Sequence, residues 1–418
     1  MPTIAESILS KQLGAPVEPG MIEKFPVDFA FGHDMTLPAA IKEFNELGVG
    51  SVFDPDAIAV IPDHLIPPHN EHAAELYSTC EAFAEEHGTI FYPQGRQGQE
   101  HVVIPEDGLV KPGDVVVGAD SHTCTEGALG AFAVGVGSTD LAFAMAFGWL
   151  WLRVPETTRV NFTGKIGEWT EPKDLVLALL ANIGADGAVG HALEFGGETV
   201  RALDMDGRLT LSNMAIEAGG ATGIVEPDAV TEQYANERVD EDFKLHTPKH
   251  PTYEQKIKID CENLEPQIAI PESPANVVPI SDTRVSDIEI DQAVIGSCTN
   301  SRKRDLQITA AILEDHSVAT GVRLIVTPGS QRLERRAIRE GWTETFLKAG
   351  ATMENPGCGA CFGMRTGVLD ENEVAISTTN RNFPGRMGDP TSAVYLASPA
   401  VAAASAVTGR ITHPREVI

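Results

Sequence analysis

The chain has 418 residues, a hydrophobic content of 42%, an aromatic content of 6% and a formal net charge of −29. This length predicts two or three domains around more than one core, and the apolar content is that of a globular protein. The acidic charge opposes binding to nucleic acid or to an anionic membrane surface, and is typical either of an ordinary acidic enzyme or of adaptation to high salt.

No apolar stretch is long enough to predict a membrane span, since the longest, LAFAMAFGWLWL at 141–152, is far shorter than about 20 residues. The first residues, MPTIAESILSKQLG, lack the basic and apolar regions of a signal peptide. We therefore expect a cytoplasmic protein, in which the six cysteines are ligands or buried thiols rather than disulfides.

Apolar runs typical of β-strands are each followed by a short polar loop. In chain order they are DAIAVIP at 56–62, DVVVGA at 114–119, DQAVIG at 291–296, VRLIVTP at 322–328 and EVAIST at 373–378. Most of the loops lead into a helical stretch. The helical stretch that follows DVVVGA and its loop is rich in Ala, Phe and Leu and ends near 153–155. Strands alternating with helices predict parallel sheets, in which ligands bind beyond the carboxyl ends of the strands. Five polar loops in such positions predict one shared site.

The predicted fold class is α/β, with three domains at 1–155, 156–285 and 286–418. The first boundary follows the helical run, and the second follows a Pro-rich stretch, PESPANVVPIS at 271–281, that is typical of a linker.

Three cysteines form a pattern that suits a metal centre. Cys358 and Cys361 stand in a C-x-x-C within PGCGACFG, and Cys298 lies in a separate strand-to-loop turn. A structural zinc site usually has two close pairs of ligands, and the second pair is missing. Three thiolates would leave one metal ion with an open position, as Lewis-acid catalysis requires. A redox dithiol and inert thiols remain alternatives. Cys80 and Cys261 are predicted to be bystanders. The role of Cys124, beside the DSHT loop, stays undecided.

Histidines and carboxylates in or near these loops are candidates for proton transfer. A carboxylate orients an imidazole and raises its basicity, which suits proton transfer to a leaving hydroxyl. Each signal is weak alone, because a single loop histidine is more often a surface or packing residue. The candidates are Asp63, His64, His101, Asp120, His122 and Glu194.

Two arginines, Arg381 and Arg386, lie in the loop TTNRNFPGRMG at 378–388. Arginine binds carboxylates through a bidentate fork, so the pair suits a di- or tricarboxylate substrate. Two solvated arginines are the alternative, although a chain of net charge −29 needs a local cationic pocket to hold an anionic substrate.

Seven motifs together resemble the aconitase family, and within it the isopropylmalate dehydratase and homoaconitase large subunits. They are PDHLIPPH, GADSHTCTEGALGAFAVGVGSTDLA, ALEFGG, LSNMAIEAGG, GSCTNSR, NPGCGACFG and TTNRNFPGRMG. The resemblance implies three aconitase-like α/β domains with mostly parallel sheets around a central [4Fe–4S] cluster. It implies one cluster per subunit, held by Cys298, Cys358 and Cys361. One iron of this cluster would have no protein ligand and would bind substrate.

The resemblance also implies roles for the remaining candidates. His64, paired with Asp63, would deliver the proton to the leaving hydroxyl. The implied supporting acid–base groups are His101, Asp120, His122 and Glu194. The implied substrate-binding residues are Ser121, Asn380, Arg381, Arg386 and His33. A histidine at position 33, in GHDMT, matches the isopropylmalate dehydratase and homoaconitase group rather than citrate-handling aconitases.

Single-chain aconitases continue into a fourth, swivelling domain, whereas this sequence stops at Ile418. The resemblance therefore implies a separate small subunit that supplies the base and most of the substrate specificity. The implied activity is that of a hydro-lyase that isomerises 2-isopropylmalate to 3-isopropylmalate in leucine biosynthesis. Homoaconitase or a related 2-alkylmalate isomerase is the alternative within the family. An iron-sensing RNA-binding protein is disfavoured by the charge, and an electron-transfer protein would need a fourth protein ligand to the cluster.

Overall fold

A computed structural model describes residues 1–418, which form two compact units. The first unit comprises Met1–Phe162 and Ala188–Lys258, and the second comprises Thr163–Gly187 and Ile259–Ile418. The chain thus enters the second unit for a short excursion, returns to the first, and then completes the second. The division into three domains stays a prediction.

The strands are short, and most are buried. In chain order they are β1 (Ile22–Pro26), β2 (Phe29–Gly32), β3 (Ile58–Val60), β4 (Ile90–Phe91), β5 (Val115–Gly118), β6 (Phe132–Gly135), β7 (Trp149–Arg153), β8 (Thr157–Thr163), β9 (Ala192–Gly196), β10 (Thr222–Val225), β11 (Gln255–Asp260), β12 (Gln267–Ala269), β13 (Val277–Pro279), β14 (Gln292–Ile295), β15 (Arg323–Val326), β16 (Thr352–Met353), β17 (Val374–Ser377) and β18 (Ala393–Leu396).

The helices alternate with the strands over most of the chain. They are α1 (Ile4–Leu13), α2 (Leu37–Glu46), α3 (Glu71–His87), α4 (Glu100–Glu106), α5 (Ser138–Phe147), α6 (Pro172–Ile183), α7 (Glu198–Arg201), α8 (Met205–Asn213), α9 (Ala229–Asn236), α10 (Lys303–Leu313), α11 (Gln331–Arg339), α12 (Trp342–Ala349) and α13 (Pro399–Thr408). Four 3₁₀ segments complete the set: Pro55–Ala57, Ser121–Leu129, Ile216–Ala218 and Pro414–Glu416. No helix combines the length and apolar character needed to cross a membrane.

A five-stranded parallel sheet forms the centre of the first unit, in the order β4-β3-β2-β5-β6. The three central strands read FAFG, IAV and VVVG and are buried throughout, as expected for a parallel sheet covered on both faces. Helices α2, α3 and α5 contribute to the same apolar core. Because the strands are parallel, the loops after β2, β3 and β5 all leave from one edge of the sheet.

A second sheet, in the order β10-β9-β8-β11, includes the parallel neighbours β8, β9 and β10. The second unit is built on a seven-stranded sheet in the order β13-β12-β18-β17-β14-β15-β16. Its strands β14–β18 pair in parallel, whereas β12 pairs antiparallel with both of its neighbours. Both sheets and helices agree with the predicted α/β class, and every strand predicted from an apolar run is present.

The predicted helical run through 153–155 is wrong at its end. Helix α5 stops at Phe147, because Gly148 adopts a left-handed conformation (φ 71°) and closes the last turn with a hydrogen bond to Ala144. The following WLWLR segment forms β7, which pairs antiparallel with β1. Its large side chains alternate between a buried and a more exposed face, a period of two that a count of apolar residues does not distinguish from a helix.

Candidate functional site

Histidines and carboxylates of the first unit gather around the carboxyl edge of the five-stranded sheet. We call this group the acid–base cluster. Its members are His33, Asp34, Asp63, His64, Glu100, His101, Asp120, His122, Glu126 and Glu217, linked by the contacts described below.

The loop after β3 is fixed by a buried carboxylate, Asp34. Its Oδ1 accepts hydrogen bonds from the backbone N–H groups of Asp63 (3.2 Å) and His64 (3.0 Å), and its Oδ2 accepts one from Leu65 (2.7 Å). Asp63 is buried as well; its Oδ2 accepts the N–H of Glu100 (2.9 Å), and its Oδ1 lies 2.5 Å from His64 Nδ1. The His64 ring is therefore held in one orientation, with Nε2 as its other ring nitrogen.

The Asp63–His64 pair carries a proton at neutral pH. Burial by itself would lower the pKa of His64, but the adjacent Asp63 carboxylate outweighs it and raises that pKa to about 9. Burial would conversely raise the pKa of Asp63, yet the charge and hydrogen bond of His64 hold it below its ordinary value. The ring of His33 stacks on that of His64 with 3.8 Å between centroids. An imidazolium beside a carboxylate is a ready proton donor.

A second dyad forms between α4 and the loop after β5. His101 Nε2 lies 2.9 Å from Asp120 Oδ1, and His101 Nδ1 lies 3.7 Å from Glu126 Oε1. Burial opposes protonation of His101, but its hydrogen bond with Asp120 and the nearby carboxylate of Glu126 raise its pKa to about 9. Burial would raise the pKa of Asp120, whereas the hydrogen bond with His101 and the nearby rings of His122 and His33 keep it well below the ordinary range. This dyad too is an imidazolium–carboxylate pair.

A third histidine, His122, sits at the start of the 3₁₀ segment that follows Asp120. Its Nε2 lies 3.0 Å from Glu217 Oε1, its Nδ1 lies 3.4 Å from Ser121 Oγ, and its backbone N–H donates to Asp120 Oδ1 (2.7 Å). The predicted residues Ser121 and His122 thus join the same cluster as Asp120.

Glu194 does not join the cluster. It lies on β9, and its Oε1 accepts hydrogen bonds from the N–H groups of Ile4 (2.6 Å) and Ala5 (3.1 Å) at the start of α1. Burial raises the pKa of Glu194 to about 7 despite these bonds. The geometry gives Glu217, rather than Glu194, the position of carboxylate partner to His122, so the predicted catalytic role of Glu194 has no support in its contacts.

Sequence reasoning missed four members of the cluster: Asp34, Glu100, Glu126 and Glu217. Asp34 follows the predicted His33 directly, and Glu217 lies in LSNMAIEAGG, a motif quoted above without a role for its glutamate. Glu126 lies within the long motif after DVVVGA. Glu100 precedes His101 and has both carboxyl oxygens buried without a hydrogen-bond partner. Burial, together with the charges of Asp63 and Asp120, raises the pKa of Glu100 well above its ordinary value.

The three predicted metal ligands lie in loops of the second unit. Cys298 follows β14 after Gly296 and Ser297, and Ser297 has a φ of 81°, which is uncommon for a residue other than glycine. Cys358 and Cys361 follow β16 in a tight turn, in which the Cys361 N–H donates to the Cys358 carbonyl (3.2 Å). Gly359 has a φ of 58°, and a Cβ there would lie 2.6 Å from Thr327 Oγ1. Glycine is thus required for the turn to approach β15.

Asn380, in the loop after β17, connects two of the thiols. Its Nδ2 donates to Cys298 Sγ (3.4 Å), and its Oδ1 accepts from Cys361 Sγ (3.7 Å). Arg386 Nη2 donates to the same Cys361 sulfur (3.4 Å), and its guanidinium lies 4.5 Å from the Phe362 ring centroid. Buried thiols approached by N–H donors suit an iron–sulfur cluster, since hydrogen bonds to sulfur stabilise and tune such centres.

The structure thus places the predicted residues in two sets. His33, Asp63, His64, His101, Asp120, Ser121 and His122 belong to the acid–base cluster of the first unit. Cys298, Cys358, Cys361, Asn380, Arg381 and Arg386 belong to the loops of the second unit, with Arg381 half-buried directly after Asn380. No disulfide links any of the six cysteines, and Cys80, Cys124 and Cys261 are buried.

A sequence profile of the Aconitase family (aconitate hydratase) matches residues 6–409 of the chain. The chain belongs to the aconitase family. The resemblance inferred from the seven motifs is therefore confirmed.

Several curated relatives match almost end to end. The chain is 50% identical to the "3-isopropylmalate dehydratase large subunit" of Halothermothrix orenii over 404 residues, which is 96% of each chain. It is 50% identical over 419 residues to the protein of the same name from Moorella thermoacetica, and to "3-isopropylmalate dehydratase large subunit 1" of Pyrococcus furiosus. Each of these two matches covers 100% of this chain and 99% of the relative.

A solved structure of Thermococcus kodakaraensis aconitase X in its holo form has a TM-score of 0.50 and 13% identity, over 85% of this chain and 84% of that one. This likeness supports an aconitase-like fold. The family match and the structural neighbour agree with the fold class predicted from the alternating strands and helices.

Proposed function

We propose that this chain is the large subunit of a 3-isopropylmalate dehydratase, a hydro-lyase that converts 2-isopropylmalate to 3-isopropylmalate by loss and re-addition of water. The observation that carries the proposal is the end-to-end identity of about half with chains that bear that name. The acid–base cluster and the thiol loops are the two groups of residues that such a reaction needs, and we assign both to it.

A [4Fe–4S] cluster is the cofactor that the family implies, and the donor set fits it. Cys298, Cys358 and Cys361 would hold it, and the hydrogen bonds of Asn380 and Arg386 at two of these sulfurs are of the kind found around cluster ligands. When bound, a cluster with one iron not held by the protein supplies a Lewis acid for the departing hydroxyl.

The residues of the chain itself divide the remaining work. His64 is protonated at neutral pH and delivers its proton to the leaving hydroxyl from Nε2, while Asp63 stabilises the imidazolium and fixes its orientation. On re-addition of water, the His64 ring that lost its proton takes one back from the water, and the neighbouring His101–Asp120 pair supports this exchange. Arg381 and Arg386 bind substrate carboxylates through their guanidinium forks.

We further propose that a separate small subunit completes the enzyme. The relatives are named as large subunits, which supports a partner of this kind. We assign to the partner the base that removes the carbon-bound proton and most of the recognition of the substrate side chain.

The test is anaerobic reconstitution of the chain with iron and sulfide, followed by an ultraviolet assay of the unsaturated intermediate from 2-isopropylmalate, with and without the small subunit. Turnover that requires both chains is the expected result. Turnover of homocitrate with 2-isopropylmalate inert would move the assignment to homoaconitase. Failure to form a cluster would contradict the assignment of Cys298, Cys358 and Cys361.

A further inference from the structure

The second unit contains a lysine whose entire side chain is buried, Lys173 in the first turn of α6. Its ammonium donates hydrogen bonds to two backbone carbonyl oxygens, those of Thr378 (2.6 Å) and Thr379 (2.5 Å). Lysine is almost never fully buried, because removing its charge from water is costly unless polar groups replace the lost hydration. The buried ammonium therefore fixes the orientation of two adjacent carbonyl groups and of the backbone that carries them.

The first turn of α6 is a rigid base for this lysine. The Glu171 N–H donates to Asp174 Oδ2 (2.7 Å), which closes a capping box around Lys173. Asp174 Oδ1 also accepts the N–H of Gln267 on β12 (2.7 Å), and Glu171 Oε2 accepts the N–H of Ala400 on α13 (2.8 Å). Three elements of the second unit thus fix the position from which Lys173 extends.

The two carbonyls that Lys173 binds lead directly to Asn380. The Thr379 carbonyl belongs to the same peptide plane as the Asn380 N–H, so holding its oxygen orients the backbone from which the Asn380 side chain leaves. That side chain contacts Cys298 Sγ (3.4 Å) and Cys361 Sγ (3.7 Å). A rotation of this peptide would move the amide away from both sulfurs.

Thr378 links the same segment to the Cys298 loop. Its Oγ1 accepts the N–H of Gly296 (2.9 Å) and donates to the Gly296 carbonyl (2.8 Å). Its carbonyl accepts from Ser297 Oγ (3.3 Å) in addition to Lys173. The ammonium therefore acts on a backbone junction that two of the thiol-bearing loops share through Asn380 and Thr378.

We propose that Lys173 is a positioning residue for the cluster-binding thiols: its ammonium fixes the 378–380 backbone, so that Asn380 holds Cys298 and Cys361 in place. The proposal rests on the proposed iron–sulfur site and adds a residue that none of the seven motifs contains. It also gives a reason for the excursion of 163–187 into the second unit, since that segment brings α6 to this backbone.

Thiol alkylation of the cluster-free chain tests the proposal without requiring catalysis. The variant Lys173→Met keeps the length and apolar stem of the side chain and removes the ammonium. Iodoacetamide labelling of Cys298 and Cys361, followed by peptide mass mapping, is expected to accelerate about tenfold, the effect of losing hydrogen bonds to a charged donor. Cys261, a fully buried thiol of the same unit, serves as an internal reporter of unfolding and is expected to keep its rate.

Lys348→Met is the matched control, because Lys348 lies in the same unit on the exposed face of α12, 2.6 Å from Glu344 Oε1. It is expected to label like the unsubstituted chain. The proposal is overturned if Cys298 and Cys361 of folded Lys173→Met are labelled at the same rates as in the unsubstituted chain.

If Lys173→Met does not fold, Lys173→Gln decides, since its shorter amide retains a neutral donor. Selective acceleration at Cys298 and Cys361 supports the proposal, whereas uniform acceleration with Cys261, or no acceleration, overturns it. Anaerobic reconstitution provides a second readout, in which Lys173→Met is expected to retain less iron than Lys348→Met. An unsubstituted chain that holds a cluster but does not turn over 2-isopropylmalate in the presence of the small subunit would contradict the proposed function, and the labelling comparison would still stand.

Discussion

Replacing Asp63 with asparagine is expected to move the alkaline limit of activity to lower pH. The substitution keeps the size of the side chain and removes the charge that outweighs burial at His64, whose pKa of about 9 then falls toward its ordinary value of 6.5. At about pH 8 the protonated fraction of His64 would fall from about nine-tenths to about 3%, a thirtyfold loss of the proton donor. The difference corresponds to about 3 kcal/mol of interaction between the two side chains.

The direction of the change follows from the role of His64 as an acid. A histidine with a raised pKa is charged below that pKa and loses its proton as the pH rises through it, so the unsubstituted enzyme keeps its proton donor up to about pH 9. The measurement is kcat and kcat/KM against pH for the reconstituted two-subunit enzyme, over about pH 6 to 10. Modification of His64 by diethylpyrocarbonate, which attacks the neutral imidazole, would follow the same titration directly.

Glu75→Gln is the control, because Glu75 forms an exposed contact with His72 (3.7 Å) on α3, where solvent screens the interaction. That variant is expected to keep the parent pH profile. An alkaline limb unchanged in Asp63→Asn would refute the reasoning, since it would mean that Asp63 does not set the protonation of His64 or that His64 is not the acid.

Four further predictions separate the roles assigned to other side chains. Glu194→Gln is expected to leave turnover intact, whereas Glu217→Gln is expected to lower it at least tenfold, because only Glu217 touches a histidine of the cluster; equal losses would restore Glu194 to the active site. Because the folded pKa of Glu194 is about 7 against an ordinary 4.5, its contribution to stability is complete below about pH 4.5 and is lost as the pH rises through 7. Glu194→Gln should therefore remove about 3 kcal/mol of the decline in unfolding free energy measured by denaturation over that window, and an undiminished decline would count against it. Cys298→Ser is expected to abolish the visible absorbance of the reconstituted cluster, whereas Cys80→Ser is expected to retain it; loss in both would show that absorbance does not report a specific ligand. Arg386→Gln is expected to raise KM for 2-isopropylmalate about tenfold or more through loss of a carboxylate contact, and an unchanged KM would exclude that contact.

The sheets of this protein were predictable because buried parallel strands appear in the sequence as unbroken apolar runs. The segment VVVG of β5 has no alternation, since both faces of the sheet are covered, and the polar DSHT that follows marks the carboxyl edge. The strand β7 was not predictable in the same way, because its Trp-Leu alternation continues an apolar helix without a polar break and only Gly148 separates them.

The candidate site was predictable where its residues are close together in the sequence and form a motif. The C-x-x-C of Cys358 and Cys361, and the Asp-His pair at 63–64, are local in sequence. Contacts between residues distant along the chain were not predictable. Glu217 contacts His122 across 95 positions, and in the sequence Glu217 and Glu194 are both single glutamates beside glycine-rich turns. Lys173 gave no signal at all, because an isolated lysine in a helix normally points to solvent.

The excursion of 163–187 has a consequence for the order in which this protein can fold on the ribosome. Glu171 receives its hydrogen bond from Ala400, 229 positions later, and Lys173 receives its carbonyl partners only when 378 and 379 have been made. At a synthesis rate of about 5–20 residues per second, the start of α6 waits roughly 10 to 50 s for its last partner. During that interval the Lys173 ammonium and the Glu171 carboxylate lack the partners that they have in the folded core, so the second unit can be completed only after the final helix has been made.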